Sequence, residues 1–501
     1  MRLKPLHLLI IILLFSAFLR YSFIDLNRFE GEMVRDIGIA ERISDQPIFH
    51  GLLAKDAPGS IQQTFGPLYY YLIWISLHIP ATVYYYPLLP TFLVITLNLL
   101  SVVLCFIFCK NTFGNRVALI ATSLYASSAW IILHASVFTN PNFLPPFILL
   151  AFIAYYKILI EDKKTYFYLF FPSIAAQLHF HLSALLLLPV FASIFLLKPA
   201  LFKNKHVYFS GLLAIILFIP FFITLANTQD LSVFGFVGDR YESTYLTNIV
   251  DGIGIPFMYT TPYLGPYLLG QYQLFPALFF DVLYYTIIII FCLIFGLGVL
   301  SLIKHLASSR FSNPQLLPLL IWLFIPTFLA IISKANISPH YLIILLPVQF
   351  VIMALFLDKL ITKIPWITYF IVFLVLFNFL FVTYFYMQMN NQGTSGLFGI
   401  PYKHKVELVE QMIDISGDNV VVNYYPSASG SVYNYLLSIR NKTPDAHILP
   451  SVFNYTEGLL LVDSYSFYAH FQQGPTLEEQ AFLNTLPSTP IRTFILYTSP
   501  P

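Results

Sequence analysis

Between residues 5 and 387 the chain passes through eleven apolar stretches, at roughly 5–24, 83–109, 116–137, 143–160, 165–179, 182–198, 207–226, 278–303, 314–333, 340–357 and 365–387. A helix that crosses a bilayer needs about 20 mainly apolar residues, because its backbone polar groups must be satisfied inside the helix. The fifth and sixth stretches are the shortest of the set. With 58% hydrophobic and 10% charged residues and a mean hydropathy of +0.74, there is too little polar surface for a soluble globule. The fold class that follows is an all-α polytopic membrane protein of about eleven transmembrane helices over residues 1–387. Arg2 and Lys4 flank the first stretch as in a signal peptide, but no small-residue cleavage site follows, so it reads as a retained helix. Cys105, Cys109 and Cys292 all lie in apolar stretches without metal-ligand spacing, which suits packing.

Charge placement orients the bundle. With the N-terminus inside, fourteen Lys and Arg residues fall on inner segments and seven on outer ones before residue 388. The positive-inside rule therefore predicts a cytoplasmic N-terminus, and an odd number of passes puts the C-terminus outside the cytoplasm. Long segments then collect on the outer face. The first, residues 25–82, carries an apolar stripe (Val34, Ile37, Ile39, Ala40, Ile43) between charges, the pattern of an interfacial helix, and then a Tyr- and Trp-bearing run from Gly66 to Trp74 suited to the headgroup zone. The second, about 227–277, is rich in Tyr, Gly and Pro and reads as a loop carrying Asp239, Arg240, Glu242 and Asp251. Beyond residue 388, amphipathic segments at 403–416, 429–440 and 477–486 alternate with β-rich runs at 420–424, 459–462 and 494–497, which predicts a small extracytoplasmic α/β domain over 388–501. The chain contains no glycine-rich phosphate loop.

Chemistry concentrates directly after the first apolar stretch, in Phe29-Glu30-Gly31-Glu32-Met33-Val34-Arg35-Asp36. Ionisable groups beside hydrocarbon are costly, so three carboxylates and an arginine at a membrane face point to a charged, membrane-borne substrate. On a helix Glu32, Arg35 and Asp36 share one face. A carboxylate beside an arginine can accept a proton from an attacking hydroxyl or amine while the arginine holds a phosphate. The alternative is a salt-bridge set that only solubilises the helix.

The order of a first span, an acidic residue, x-x-Arg, Ile39-Ala40-Glu41-Arg42-Ile43 and then Gly-Pro-Leu-Tyr-Tyr-Tyr-Leu resembles the GT-C glycosyltransferases that use polyprenyl-phosphate sugars, in particular protein O-mannosyltransferases and the lipid A aminoarabinose transferase. Further matches are the run from His134 to Asn142, Gln177-Leu178-His179-Phe180-His181, and Ser338-Pro339-His340-Tyr341. The resemblance covers about residues 5–387. It implies a catalytic carboxylate in the first outer loop that activates the acceptor for inverting attack on the anomeric carbon. Alignment on Arg35 and Ile39-Ala40 puts Glu32 at that position, with Asp36 second and Glu30 a further competitor; Glu32-Met33 stands where many relatives have Asp-Glu. The resemblance also implies a donor-phosphate site drawn from Arg35, Lys334, His340 and Tyr341. His179 and His181 are substrate-side candidates, the alternative being a metal pair, and Arg240 is a candidate acceptor or sugar contact. The donor is then a polyprenyl-phosphate sugar and the acceptor a protein, lipid or glycan. Relatives of this kind largely do without a nucleotide sugar and many without metal, so neither is expected, and no nucleic-acid partner is expected either.

A secondary transporter would place ionisable groups near mid-membrane within inverted repeats, which are not visible. A flippase for a lipid-linked glycan fits the number of spans but has no need of a carboxylate–arginine cluster on an interfacial helix.

Overall fold

The computed structural model describes residues 4–45, 66–228, 245–265, 278–310, 313–333, 337–392, 399–416, 419–425, 430–448, 459–462, 488–491 and 494–498. In chain order the helices are α1 (Pro5–Tyr21), α2 (Gly31–Glu41), α3 (Pro67–Leu77), α4 (Leu89–Phe113), α5 (Asn115–Ser127), α6 (Ala129–Ala135), α7 (Leu144–Leu159), α8 (Phe167–Phe180), α9 (Leu188–Leu197) and α10 (Lys205–Thr228). They continue with α11 (Tyr245–Thr260), α12 (Leu278–Ser308), α13 (Leu317–Ile332), α14 (Leu346–Ile361), α15 (Ile367–Gln392), α16 (Tyr402–Ser416) and α17 (Gly430–Ser438).

Among the described residues, five helical segments are long and apolar enough to cross a membrane: Tyr86–Phe113, Asn140–Leu159, Phe279–Ser308, Pro339–Ile361 and Ile367–Asn391. Shorter apolar helices occupy Pro5–Tyr21, Pro67–Leu77, Leu182–Leu197, Lys205–Ile219 and Leu317–Ile332. Burial separates centre from rim: 78% of the apolar window is buried in Asn140–Leu159 and in Pro339–Ile361, against 33% in Phe279–Ser308. Outward-facing apolar side chains such as Leu212, Ile215, Val282 and Leu300 cover the rim, as a lipid-facing surface requires. At the centre Trp322 stacks on Phe152, with ring centroids 3.4 Å apart, and donates to the Ile344 carbonyl at 3.0 Å.

Two local devices recur at the starts of helices. Helices α4, α7, α9, α13 and α14 all open with Leu-Pro, where proline's missing N–H is one the helix start leaves unbonded anyway. Four of them are entered through tight 3-10 turns, at Tyr86–Leu88, Asn140–Phe143, Leu182–Leu187 and Pro339–Leu345. The 339–345 turn packs against both the 140–143 and the 182–187 turns.

Two expectations are corrected. The third stretch is not one straight helix: α5 and α6 meet at 60°, with Ser128 in extended conformation between them. The break leaves the Ala126 carbonyl without its helical partner, and the fully buried Arg20 supplies one, donating from Nη1 at 3.2 Å. Arg20 also donates to Ser16 and, from Nε, to Asn98 Oδ1 at 2.9 Å. The second outer segment is not wholly loop, since it contains α11. Gly252, Gly254 and Pro256 mask the helical pattern in the sequence, yet Gly252 lets α11 lie close to α13; a Cβ there would stand 2.5 Å from Ile331 Cγ1.

Five strands follow: β1 (Asn419–Tyr425), β2 (Thr443–Ile448), β3 (Leu459–Val462), β4 (Ser488–Ile491) and β5 (Phe494–Thr498), in sheet order β2-β1-β3-β5-β4. β1 pairs parallel with β2 and β3, and β5 pairs antiparallel with β3 and β4. β2 and β4, absent from the sequence reading, contain Pro444 and Pro490; both are edge strands, where a residue without an N–H is tolerated. The predicted helix at 477–486 lies outside the described residues.

Candidate functional site

Helix α2 has Met33, Asp36, Ile37 and Ala40 on its buried side, an i, i+3, i+4, i+7 stripe in which one member is a carboxylate. α3 packs against it. Asp36 is 5% exposed, and its two oxygens are separately engaged. Oδ1 accepts from Arg35 at 2.9 Å (Nε) and 2.8 Å (Nη2), and Oδ2 accepts from the Tyr69 hydroxyl at 2.7 Å. Tyr69 also lies 3.3 Å from the Phe138 carbonyl. Burial pushes the Asp36 carboxyl above its ordinary value, although Arg35 and Tyr69 pull the other way. Burial is the largest influence on Arg35 and works to lower it, but the charge and hydrogen bond of Asp36, with smaller help from Tyr70 and Glu32, together outweigh it and the guanidinium is raised. Tyr69 is pushed far up by burial and by Asp36, which keeps it a donor. Tyr69 and Tyr70 are fully buried, so the expected headgroup role does not apply to them.

Glu32 sits one turn before Asp36 in the first turn of α2, where the helix dipole favours a carboxylate, and it is exposed. Its charge reaches both Arg35 and Asp36. Glu30, by contrast, is tied to Lys405 at 3.0 Å and lies 3.8 Å from Arg28. The three carboxylates of the cluster thus have different situations: Glu32 is open, Asp36 is buried against an arginine, and Glu30 is bound to the C-terminal part of the chain.

A second group forms on the 3-10 turns. His181 precedes the 182–187 turn, and its Nδ1 accepts from the Ser183 amide at 3.1 Å, which places the neutral ring's proton on Nε2. Its ring centroid is 5.7 Å from that of His340 and 5.6 Å from that of Tyr341. Burial lowers His181 to about 3, with His340 adding to the effect. Ser338 Oγ lies 2.8 Å from His340 Nδ1, and Tyr259 donates to the Pro339 carbonyl. The 136–143 segment lies between the two groups, bonded to Tyr69 on one side and packed against the 339–345 turn on the other. Arg28, which leads into α2, brings its charge to bear on His340.

His179 belongs to neither group. Its ring stacks on Phe218 at 4.4 Å, and its backbone carbonyl accepts from the Gly66 amide at 3.1 Å. The two histidines thus have different neighbours, His179 stacking on Phe218 and His181 lying beside His340 and Tyr341. Among the described residues no three His, Cys, Asp or Glu side chains gather as a metal site would require. Lys334 and Arg240 lie outside the described residues. The sequence reading missed Tyr69, Arg28 and Lys405 as site residues. Tyr69 had a signal, since it stands in the Gly66-Pro67-Leu68-Tyr69 run; Lys405 had none.

Comparison with known proteins agrees with this architecture. Residues 64–223 match the dolichyl-phosphate-mannose-protein mannosyltransferase family model. No curated protein matches the sequence. Among solved structures, ArnT from Cupriavidus metallidurans bound to undecaprenyl phosphate aligns at 10% identity and a TM-score of 0.54, covering 98% of this chain and 99% of that one. The apo state of the same protein aligns at 9% identity and a TM-score of 0.56, covering 98% of each chain. The apo oligosaccharyltransferase of Archaeoglobus fulgidus aligns at 15% identity and a TM-score of 0.50, covering 99% of this chain and 74% of that one. The chain is a multi-pass membrane protein with the GT-C glycosyltransferase fold.

Proposed function

We propose that the protein is an inverting glycosyltransferase that moves a sugar from a polyprenyl-phosphate donor to a protein, lipid or glycan acceptor outside the cytoplasm. The observation that carries the reading is the exposed Glu32 carboxylate one helical turn from the Arg35–Asp36 pair, in a GT-C bundle. A base needs an open lone pair, which Glu32 has; Asp36 uses both oxygens to hold Arg35 and Tyr69. Glu32 takes the proton of the acceptor hydroxyl or amine as that atom bonds to the anomeric carbon. The bond from that carbon to the phosphate oxygen breaks on the opposite side, and the polyprenyl phosphate leaves with the electron pair. Arg35, Arg28 and the His340–Tyr341 pair hold the departing phosphate, with Lys334 as a further cation for it from the sequence; His181 and Arg240 serve the sugar or acceptor. No metal or nucleotide sugar enters the step.

In this reading the chain crosses the membrane eleven times, the N-terminus is cytoplasmic, and the α/β domain over 388–501 is extracytoplasmic beside the site. The undecaprenyl phosphate bound in the ArnT structure supports a lipid-phosphate donor. The test is sugar release from radiolabelled polyprenyl-phosphate sugars by the protein in detergent. Loss of turnover in Glu32→Gln with lipid binding retained supports the reading; lipid binding without turnover for every sugar and acceptor tried points to a flippase.

A further inference from the structure

The segment that leads into α2 is gripped by the C-terminal part of the chain. Tyr402 donates its amide to the Asn27 carbonyl at 2.9 Å, and Arg28 forms an antiparallel bridge with Pro401. Lys405, from α16, has 2% of its side chain exposed, and its ammonium donates to the Phe29 carbonyl at 2.7 Å and to Glu30 Oε1 at 3.0 Å. Gly399 has φ +69, in the left-handed region that favours glycine, and lies against the same oxygen, where a Cβ would stand 3.3 Å away. An ammonium buried to this extent needs a counter-charge, because an unpaired buried ion is expensive. Glu30 provides it. Arg28 Nε lies 3.8 Å from that oxygen, beyond hydrogen-bond distance, and its side chain is 35% exposed. Two cations thus face one carboxylate, and the buried one has it.

We propose that Lys405 is a positioning residue for donor binding: by holding Glu30 it keeps that carboxylate from closing on Arg28, so that the Arg28 guanidinium stays only loosely paired at 3.8 Å and available to the lipid phosphate. This rests on the glycosyltransferase reading above. Remove the Lys405 charge and Glu30, only 3.8 Å from Arg28, takes Arg28 as its partner and withdraws it from the phosphate. The positive charge that recognises the donor is then set by a side chain 375 positions along the chain from Glu30, in the part that differs in composition from the membrane bundle.

The test is a rescue cycle on the full chain in detergent, reading the Kd for undecaprenyl phosphate and for dolichyl phosphate together with the melting temperature. Lys405→Met is expected to weaken binding about tenfold, the worth of one charge-assisted contact. Adding Glu30→Gln to Lys405→Met removes the carboxylate that captures Arg28 and is expected to restore binding to within about threefold of wild type. Lys405→Arg retains binding, and Arg28→Met loses it with no rescue by Glu30→Gln. A double variant as weak as Lys405→Met, or Lys405→Met binding like wild type, overturns the proposal and reduces Lys405 to scaffolding. Should Lys405→Met not fold, Glu30→Gln alone decides: retained binding supports the proposal and a tenfold loss overturns it. If wild type binds neither lipid phosphate while remaining folded, the functional reading itself has failed, and this inference with it.

Discussion

The Tyr69 hydroxyl donates to Asp36 Oδ2 at 2.7 Å across a sequence separation of 33, fastening α3 to α2 at the carboxylate that also holds Arg35. One tyrosine therefore links the packing of two amphipathic helices to the charge state of the site. Tyr69→Phe removes a bond that favours the ionised carboxyl, and since burial already pushes Asp36 up, the substitution raises it further. The acid limb of the pH–activity profile is expected to move to higher pH. Stability should fall by about 1–3 kcal/mol, as for an orphaned buried acceptor. Activity measured across pH in detergent checks the first outcome and thermal unfolding the second.

Glu32 and Asp36 should separate cleanly in paired measurements. Glu32→Gln, at an exposed position, is expected to change stability by less than about 0.5 kcal/mol while lowering turnover about 100-fold or more. Asp36→Asn leaves Arg35 without its counter-charge in a largely buried setting and should cost about 2–4 kcal/mol. Melting temperature against turnover for the two variants decides the assignment; equal destabilisation in both would contradict the geometry.

Gly66 is required for space. Its φ of −69° is open to any residue, but a Cβ would lie 1.9 Å from His179 Nδ1 and 2.9 Å from His179 Cα. Gly66→Ala should destabilise by about 1–3 kcal/mol by displacing the start of α3 from α8. His179→Ala added to it relieves the ring clash and leaves the backbone one, so recovery of melting temperature should be partial.

His181 gives a pH dependence of stability with a definite sign. Its folded value of about 3 lies below the ordinary histidine range, so between about 6.5 and about 3 the unfolded chain binds a proton that the folded chain refuses. Stability contributed by the neutral ring is present above about pH 6.5 and is lost as pH falls, by up to about 1.4 kcal/mol per pH unit for this one group. His181→Gln should flatten that part of the melting-temperature curve.

Arg20 at the broken span offers a test away from the chemistry. Arg20→Met leaves the Ala126 carbonyl and Asn98 Oδ1 without this donor inside the bundle. A loss of about 2–4 kcal/mol is expected, and Arg20→Lys should recover only part of it, because an ammonium cannot reproduce the planar fork that serves Asn98 and Ala126 together.

Much of this molecule is legible along the chain. The run lengths of apolar residues mark out helices, and among the described residues five of these are long and apolar enough to cross a membrane. The i, i+3, i+4 spacing puts Glu32, Arg35 and Asp36 on one face of α2. That Asp36 falls in the same stripe as Met33, Ile37 and Ala40 was also there to be read as a sign of burial. What the sequence could not decide is how the three carboxylates of the cluster differ in exposure and partners. Glu30 is taken by Lys405 and Asp36 by Tyr69, and Glu32 stays exposed. Likewise, Arg20 bonds the carbonyl at the break near Ser128 and Ile331 closes on Gly252 of α11, and neither partner is a sequence neighbour. Helix and span formation follow from interactions within a few residues, which a linear pattern records. Charge state and exposure follow from desolvation and from partners brought together across the chain, and these exist only once the bundle has packed.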